Sequence, residues 1–368
     1  MQTLAGQAEA LEQPPDALAR LGSVLEAAGR PNEADAVLRQ AQARHPGDFW
    51  INYHLGHVLL FGPSPHPDEA VSYFRAAVAV RPGSAEARSI LGLALSLAGQ
   101  ADRAIAAYLQ AIELNPEFPV AHNNLGDTLR GQGKLEGAIA RHRKAFELDP
   151  QFGAAHGSLG ECYAQLGRWD EAAAELDRSL ELDPTDYNRW CLTATLHAAR
   201  GDRDGYRRTC KGMLEQFGDM DRPAAAERLI KACLLLPDAL GTADADRVQK
   251  LALRVVSGTE HDRLYYWFVM SKGLAAYRAG RDEEAIRWMA RFPHNADGVH
   301  FDATRFAVVA MAHYRVGRPG EARTCLARAE RILAKMPDPA KGQPLPVNWH
   351  DWLHAQVLYR EAEALLKE

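Results

Sequence analysis

The sequence predicts an all-α chain: a right-handed superhelix of stacked helical hairpins, a solenoid, followed by a degenerate helical region at its C-terminal end. Three observations predict it. Leu-Gly pairs recur at Leu21-Gly22, Leu55-Gly56, Leu91-Gly92, Leu125-Gly126 and Leu159-Gly160, spaced 34, 36, 34 and 34 residues apart, and a fixed period of this size marks a repeat architecture. Small residues follow each glycine by twelve positions at Ala34, Ala104, Ala138 and Ala172, with Ala70 displaced by two in the longer unit; a second small row follows at Ala41, Ala77, Ala111, Ala145 and Ser179. Prolines close the units at Pro46, Pro82, Pro116, Pro150 and Pro184.

Each unit reads as helix A, a turn and helix B. Helix A carries Leu-Gly in its middle and ends at a glycine (Gly29, Gly99, Gly133 or Gly167) that can adopt the left-handed conformation which stops a helix. Helix B is expected to set its alanine opposite the mid-helix glycine, so that close backbone packing offsets the roughly 1 kcal/mol that glycine costs inside a helix. Proline cannot continue helix B. One hairpin cannot cover its own apolar face, so neighbours must stack.

After an N-terminal segment, 1–14, the units are 15–48, 49–84, 85–118, 119–152 and 153–186, and the 36-residue unit absorbs its surplus in "GPSPHP". A degenerate sixth, 187–220, keeps Trp190 and Gly201 but loses the Leu-Gly pair and the proline. Residues 221–336 read as blurred hairpins in which Gly280 and Gly317 restore the turn and Ala285 and Ala322 the small position. A proline-rich loop, 337–348, leads to a terminal helix, 349–368. That helix puts Trp349, Trp352, Ala355, Tyr359, Ala362 and Leu366 on one stripe, expected to cap the last apolar face.

Composition narrows the function. The 368 residues are 47% hydrophobic and 25% charged, enough for a substantial core, and the net charge of -5 has the wrong sign for a protein that must neutralise phosphates. Nucleic acid is therefore not the expected partner. The five cysteines are scattered without metal-ligand or redox spacing. No leader-like or bilayer-length apolar segment is read, so no membrane contact is expected and the cytoplasm is the expected location. Phosphate-loop, nucleophile-elbow and zinc-protease motifs are missing from the sequence. His350 and His354 stand four apart, but the sequence fixes no third ligand beside them, and no metal or cofactor site is expected.

The Leu-Gly pair, turn glycine, two small rows and closing proline together resemble the tetratricopeptide repeat. That resemblance implies a binding surface along the A helices. At about 100° per residue, repeat positions 2, 5, 9 and 12 point away from the packed stripe. They are Asp16, Ala19, Ser23 and Glu26; Trp50, Tyr53, His57 and Leu60; Glu86, Ser89, Leu93 and Ser96; Val120, Asn123, Asp127 and Arg130; Ala154, Gly157, Glu161 and Ala164. Five acids (Asp16, Glu26, Glu86, Asp127 and Glu161) face one base, Arg130. The expected partner is an extended basic peptide with an apolar anchor, received by Trp50 and Tyr53. Lysine and asparagine are missing from positions 5 and 9 where a chaperone-tail clamp needs them, and of an asparagine ladder at position 6 only Asn124 survives.

"AQARHPGDFWINYHLGHVLL", "IKACLLLPDA", "SKGLAAYRAGRDEEAIRWM" and "WHDWLHAQVLYREAEALL" together resemble the C-terminal tetratricopeptide regions of planctomycete-type bacterial serine/threonine protein kinases. The kinase motifs themselves are absent from this sequence, so the resemblance implies a recruiting or regulatory scaffold and not an enzyme. Two alternatives stay open: an enzyme site in the degenerate region, around His294, His300, Asp302 and His313, and a self-assembly module built on the terminal helix.

Overall fold

The computed structural model describes residues 13–219, 222–237, 239–254, 265–291 and 299–367. Among the described residues there are nineteen α-helices, one short 3-10 turn at Pro339–Lys341 and no strand. The chain divides into two compact units, 1–158 and 159–368.

The first unit holds four hairpins: α1 (Pro15–Ala27) with α2 (Pro31–Arg44), α3 (Phe49–Phe61) with α4 (Pro67–Val80), α5 (Ala85–Leu97) with α6 (Ala101–Leu114), and α7 (Pro119–Gly131) with α8 (Leu135–Leu148). Gly29, Gly99 and Gly133 turn the chain at φ of 72°, 73° and 74°. In the second hairpin the proline-rich turn does this work without a left-handed glycine. Its following helix begins at Pro67, whose missing N–H is one the first helical turn leaves unbonded in any case.

The structure corrects one expectation about how a hairpin closes. The alanines at 34, 70, 104 and 138 are fully buried, yet the atoms facing the mid-helix glycines belong to a bulky helix-B residue further along. A Cβ at Gly22 would strike Leu38, at Gly56 Phe74, at Gly92 Tyr108 and at Gly126 His142. Glycine is present so that a ring or a branched chain can lie flat on helix A. Leu38, Phe74 and Tyr108 thereby enter one core, of which Phe74 and Tyr108 are the largest buried members, and burial of each stabilises by about 1.5–3 kcal/mol.

Successive repeats are joined at the proline. Its carbonyl cannot be satisfied by a continuing helix, and a side chain six residues on supplies the donor. Asn52 Nδ2 reaches Pro46 O at 2.9 Å, Arg88 Nη2 reaches Pro82 O at 2.9 Å, and His122 Nε2 hydrogen-bonds Pro116 O at 3.1 Å.

α9 (Gly153–Gln165) and α10 (Trp169–Leu182) form the next hairpin, with Leu176 against Gly160 and a left-handed turn at Gly167. In the second unit follow α11 (Tyr187–Arg200), α12 (Arg203–Phe217), α13 (Pro223–Cys233), α14 (Thr242–Arg254), α15 (Tyr265–Arg278), α16 (Asp282–Met289), α17 (Val299–Arg315), α18 (Pro319–Leu333) and α19 (Trp349–Lys367). Trp190 Nε1 donates to Pro184 O at 2.8 Å, the same junction again. Gly273 lies under Met289 sixteen residues on, which repeats the Gly92–Tyr108 spacing and identifies α15 and α16 as a hairpin of the same kind.

The A helices of this unit stand side by side in the order α11, α13, α15, α17, and α19 packs against both α11 and α17, the two ends of that row. It also packs on α18, the helix before it, as a terminal cap would. Val357, Leu358 and Ala362 of α19 share one buried core with Ala194, Ala198, Val308 and Met311. Arg278 fastens the arrangement: it donates to Leu234 O at 2.8 Å, to Leu235 O at 2.7 Å and to Glu361 Oε2 at 2.7 Å, and its side chain is almost wholly buried. The A-helix face of the second unit is thus filled by the chain's own last helix.

Candidate functional site

The first unit presents an A-helix face along α1, α3, α5 and α7. Its most prominent feature is an aromatic cluster at the start of α3. Asp48 caps this helix by accepting the Ile51 N–H at 2.9 Å, and the first turn therefore presents Phe49, Trp50 and Tyr53 in a fixed register. Trp50 is 42% exposed. It meets Phe49 edge-on at 4.9 Å and Tyr53 at 6.0 Å, and stacks on His54 at 5.9 Å. The Arg81 guanidinium lies 4.1 Å from the Phe49 ring and 5.1 Å from Trp50, so these faces already hold one cation.

Tyr53 is anchored edge-on against Phe74 at 5.9 Å. Burial, and secondly the nearby Glu86 carboxylate, push its phenol above the ordinary value. Glu86 is exposed and accepts the Ser84 hydroxyl at 3.1 Å. Trp50, Tyr53 and Glu86 consequently form an aromatic wall with a carboxylate beside it.

The remaining positions separate into open and committed groups. Asp16 is exposed in the first turn of α1. Glu26 is bound to His57, with Nδ1 at 2.7 Å from Oε1, and the His57 ring rests 4.5 Å from Phe61. Asp127 accepts from Asn123 Nδ2 at 3.2 Å and lies 3.6 Å from Arg130. Asn123 Oδ1 also hydrogen-bonds the buried His142 ring at 3.1 Å. Ser89 and Asn123 are buried. The helical wheel places both on the open stripe, but packing within the repeats covers them, Asn123 through its bonds to Asp127 and to His142 of helix B. Asn124 is half-buried, and its carbonyl accepts the Thr128 hydroxyl at 2.9 Å. Glu161 belongs to the second unit, where it lines a cleft beneath α19.

Sequence reasoning missed two apolar side chains on this face. Phe61 is 51% exposed and Leu97 57% exposed, and each is the last residue of its A helix. The signal was present as an apolar residue at that place in two consecutive repeats.

For the residues considered as a hidden enzyme site, His294 lies outside the described residues. Among the described residues no group of three or more His, Cys, Asp or Glu side chains could hold a metal ion. The His350 and His354 rings are 6.4 Å apart, and His354 Nε2 is bonded to the Thr195 hydroxyl at 2.7 Å. No described helix is long and apolar enough to cross a membrane.

Family models described as tetratricopeptide repeat match residues 15–58 and 129–191, and one described as TPR repeat matches 97–133. The chain contains tetratricopeptide repeats, and such proteins act as protein-interaction scaffolds. Among solved structures it is similar to PilW, a type IV pilus biogenesis factor, at 18% identity and a TM-score of 0.50, over 57% of this chain and 96% of that one. It is also similar to PilF of Pseudomonas aeruginosa, at 20% identity and a TM-score of 0.47, over 58% and 95% of the two chains. YrrB, described as a TPR protein with an unusual peptide-binding site, is 22% identical with a TM-score of 0.37, over 46% and 86%. The likeness to PilW shows a shared fold. No curated protein matches, and nothing in these comparisons relates the chain to planctomycete-type kinases.

Proposed function

We propose that the chain is a recruiting scaffold that holds an extended basic peptide against the A-helix face of its first unit. One observation carries this reading. Trp50 stands half-exposed in a rigid aromatic cluster with the open Glu86 carboxylate beside it, an arrangement that offers an aromatic edge to the apolar anchor of a peptide and a negative charge to its basic side chains. Phe61 and Leu97 offer apolar contacts for the anchor of the same peptide.

Of the acids on this face, Asp16 and Glu86 are open, whereas Glu26 and Asp127 already hold His57 and Arg130. Attraction of a basic segment is therefore salt-sensitive but moderate. Recruitment of such a peptide beside a catalytic partner contributes through effective concentration.

Anisotropy titration of a labelled lysine-rich peptide bearing one aromatic residue tests the proposal. Trp50→Ala and Glu86→Lys are each expected to weaken binding by about tenfold, a value typical of an aromatic or charged anchor. Both residues are surface-accessible, so helicity should stay unchanged. Equal affinity for wild type and both variants would remove the proposal.

A further inference from the structure

The second unit contains a cleft of about 530 Å³ between its A helices and α19, within the size range of small-molecule sites. Its wall carries charge that a helical solenoid does not need for packing. Lys231 and Glu227 form an ion pair at 3.0 Å with side chains only 7% and 4% exposed, and taking two such ions out of water is costly before their attraction is counted. Ser271 holds Glu227 in place by donating to Oε1 at 3.1 Å. The Lys231 ammonium lies 4.0 Å from the centre of the Trp267 ring. An ammonium has three donors; Glu227 takes one and the ring face a second, which leaves one for the cleft.

One turn earlier on α13, Arg228 reaches the cleft mouth and donates to Asn188 Oδ1. A guanidinium has five N–H donors in a fork suited to carboxylate geometry. Beside the cations the lining turns apolar, with Trp267 and Phe301, whose ring centres lie 4.0 and 5.8 Å from the Lys231 ammonium, and Leu192. Acids are also present, Glu161 on α9 and Asp351 on α19, and Asp351 faces α13 closely enough to help raise the pKa of Glu227, after burial as the main cause.

We infer that this cleft binds a small organic carboxylate with an aromatic or aliphatic body. The carboxylate is held by Arg228 and Lys231, and the body lies along Trp267 and Leu192. The ligand is a small molecule because α19 occupies the A-helix face that an extended chain would need. The site is independent of the peptide face on the first unit.

Calorimetric titration of the full chain with 3-phenylpropionate, its primary amide and phenethylamine tests the inference. The acid is expected to bind, with the amide and the amine at least about tenfold weaker, since a charge-assisted pair is lost in each. Arg228→Gln keeps the fold because Arg228 is exposed, and it is expected to weaken the acid by about tenfold while leaving the thermal midpoint unchanged. Lys231→Met in the presence of Glu227→Leu removes the buried pair as a unit and is expected to abolish acid binding. Failure of the acid to bind wild type, equal binding of the amide or the amine, or indifference to Arg228→Gln would each overturn the inference.

Discussion

A methyl group added at Gly92 would sit 2.6 Å from Tyr108 Cε1, whereas one added at Gly131 would meet nothing within 4 Å. The two glycines lie on neighbouring A helices, and the same substitution should act with opposite sign. Gly92→Ala is expected to destabilise the first unit by about 1–3 kcal/mol through overpacking, and Gly131→Ala to stabilise it by about 0.5–1 kcal/mol through helix propensity. Urea unfolding of the two variants checks the pair. A second residue-scale expectation concerns pH. Burial holds the His122 imidazole below its ordinary value of 6.5, with its bond to Pro116 O opposing. A folded value below the unfolded one means that the unfolded chain binds more protons in the interval between them. The contribution of His122 is therefore fully present above about pH 6.5 and is lost as pH falls through the lowered value. His122→Asn, which copies what Asn52 does at Pro46, should keep the junction and flatten the loss between pH 7 and 5 in thermal melts. These roles were only partly legible. The alanine row is uniform and could be seen, but the bulky row reads Leu38, Phe74, Tyr108, His142 and Leu176, a variety that hides a shared geometric task.

At the scale of elements, hairpin positions followed from Leu-Gly pairs, turn glycines and prolines because each of these has a local physical cause. The proline junction was not legible, since asparagine, arginine, histidine and tryptophan all serve it and only the shared six-residue distance links them. The open stripe was half legible: rotation along one helix placed Trp50 and Glu86 outward, but it takes no account of the packing around each helix that buries Ser89 and Asn123. The reach of α19 lay furthest from view, because its bond from His354 to Thr195 joins residues 159 apart and no local pattern encodes such a contact. Deleting 349–368 should have a large effect. It uncovers the core around Met311 and Ala194 and leaves the buried Arg278 without Glu361, a loss of the kind that costs about 3–5 kcal/mol. Hydrogen exchange of the truncated chain is expected to show lost protection throughout α11–α18 and native protection in α1–α8. Unchanged protection in α11 and α17 would show that α19 is a dispensable appendage.

For the molecule as a whole, one repeat chemistry yields two units with different fates for the same surface. In 159–368 the chain's own last helix covers the A-helix face, and in 1–158 the same face carries the aromatic cluster, two open carboxylates and exposed Phe61 and Leu97. The overall fold was readable because a solenoid is a sum of local units; which part of it stays open was not, because that depends on where the tail returns. Hydrogen exchange of the full chain with and without a saturating lysine-rich, aromatic-bearing peptide tests this division most directly. Added protection is expected in α3 and α5, around Trp50 and Glu86, with α13 and α19 unchanged. Protection that appears instead on α11, α13 and α19, or on the B helices of the first unit, would contradict the account.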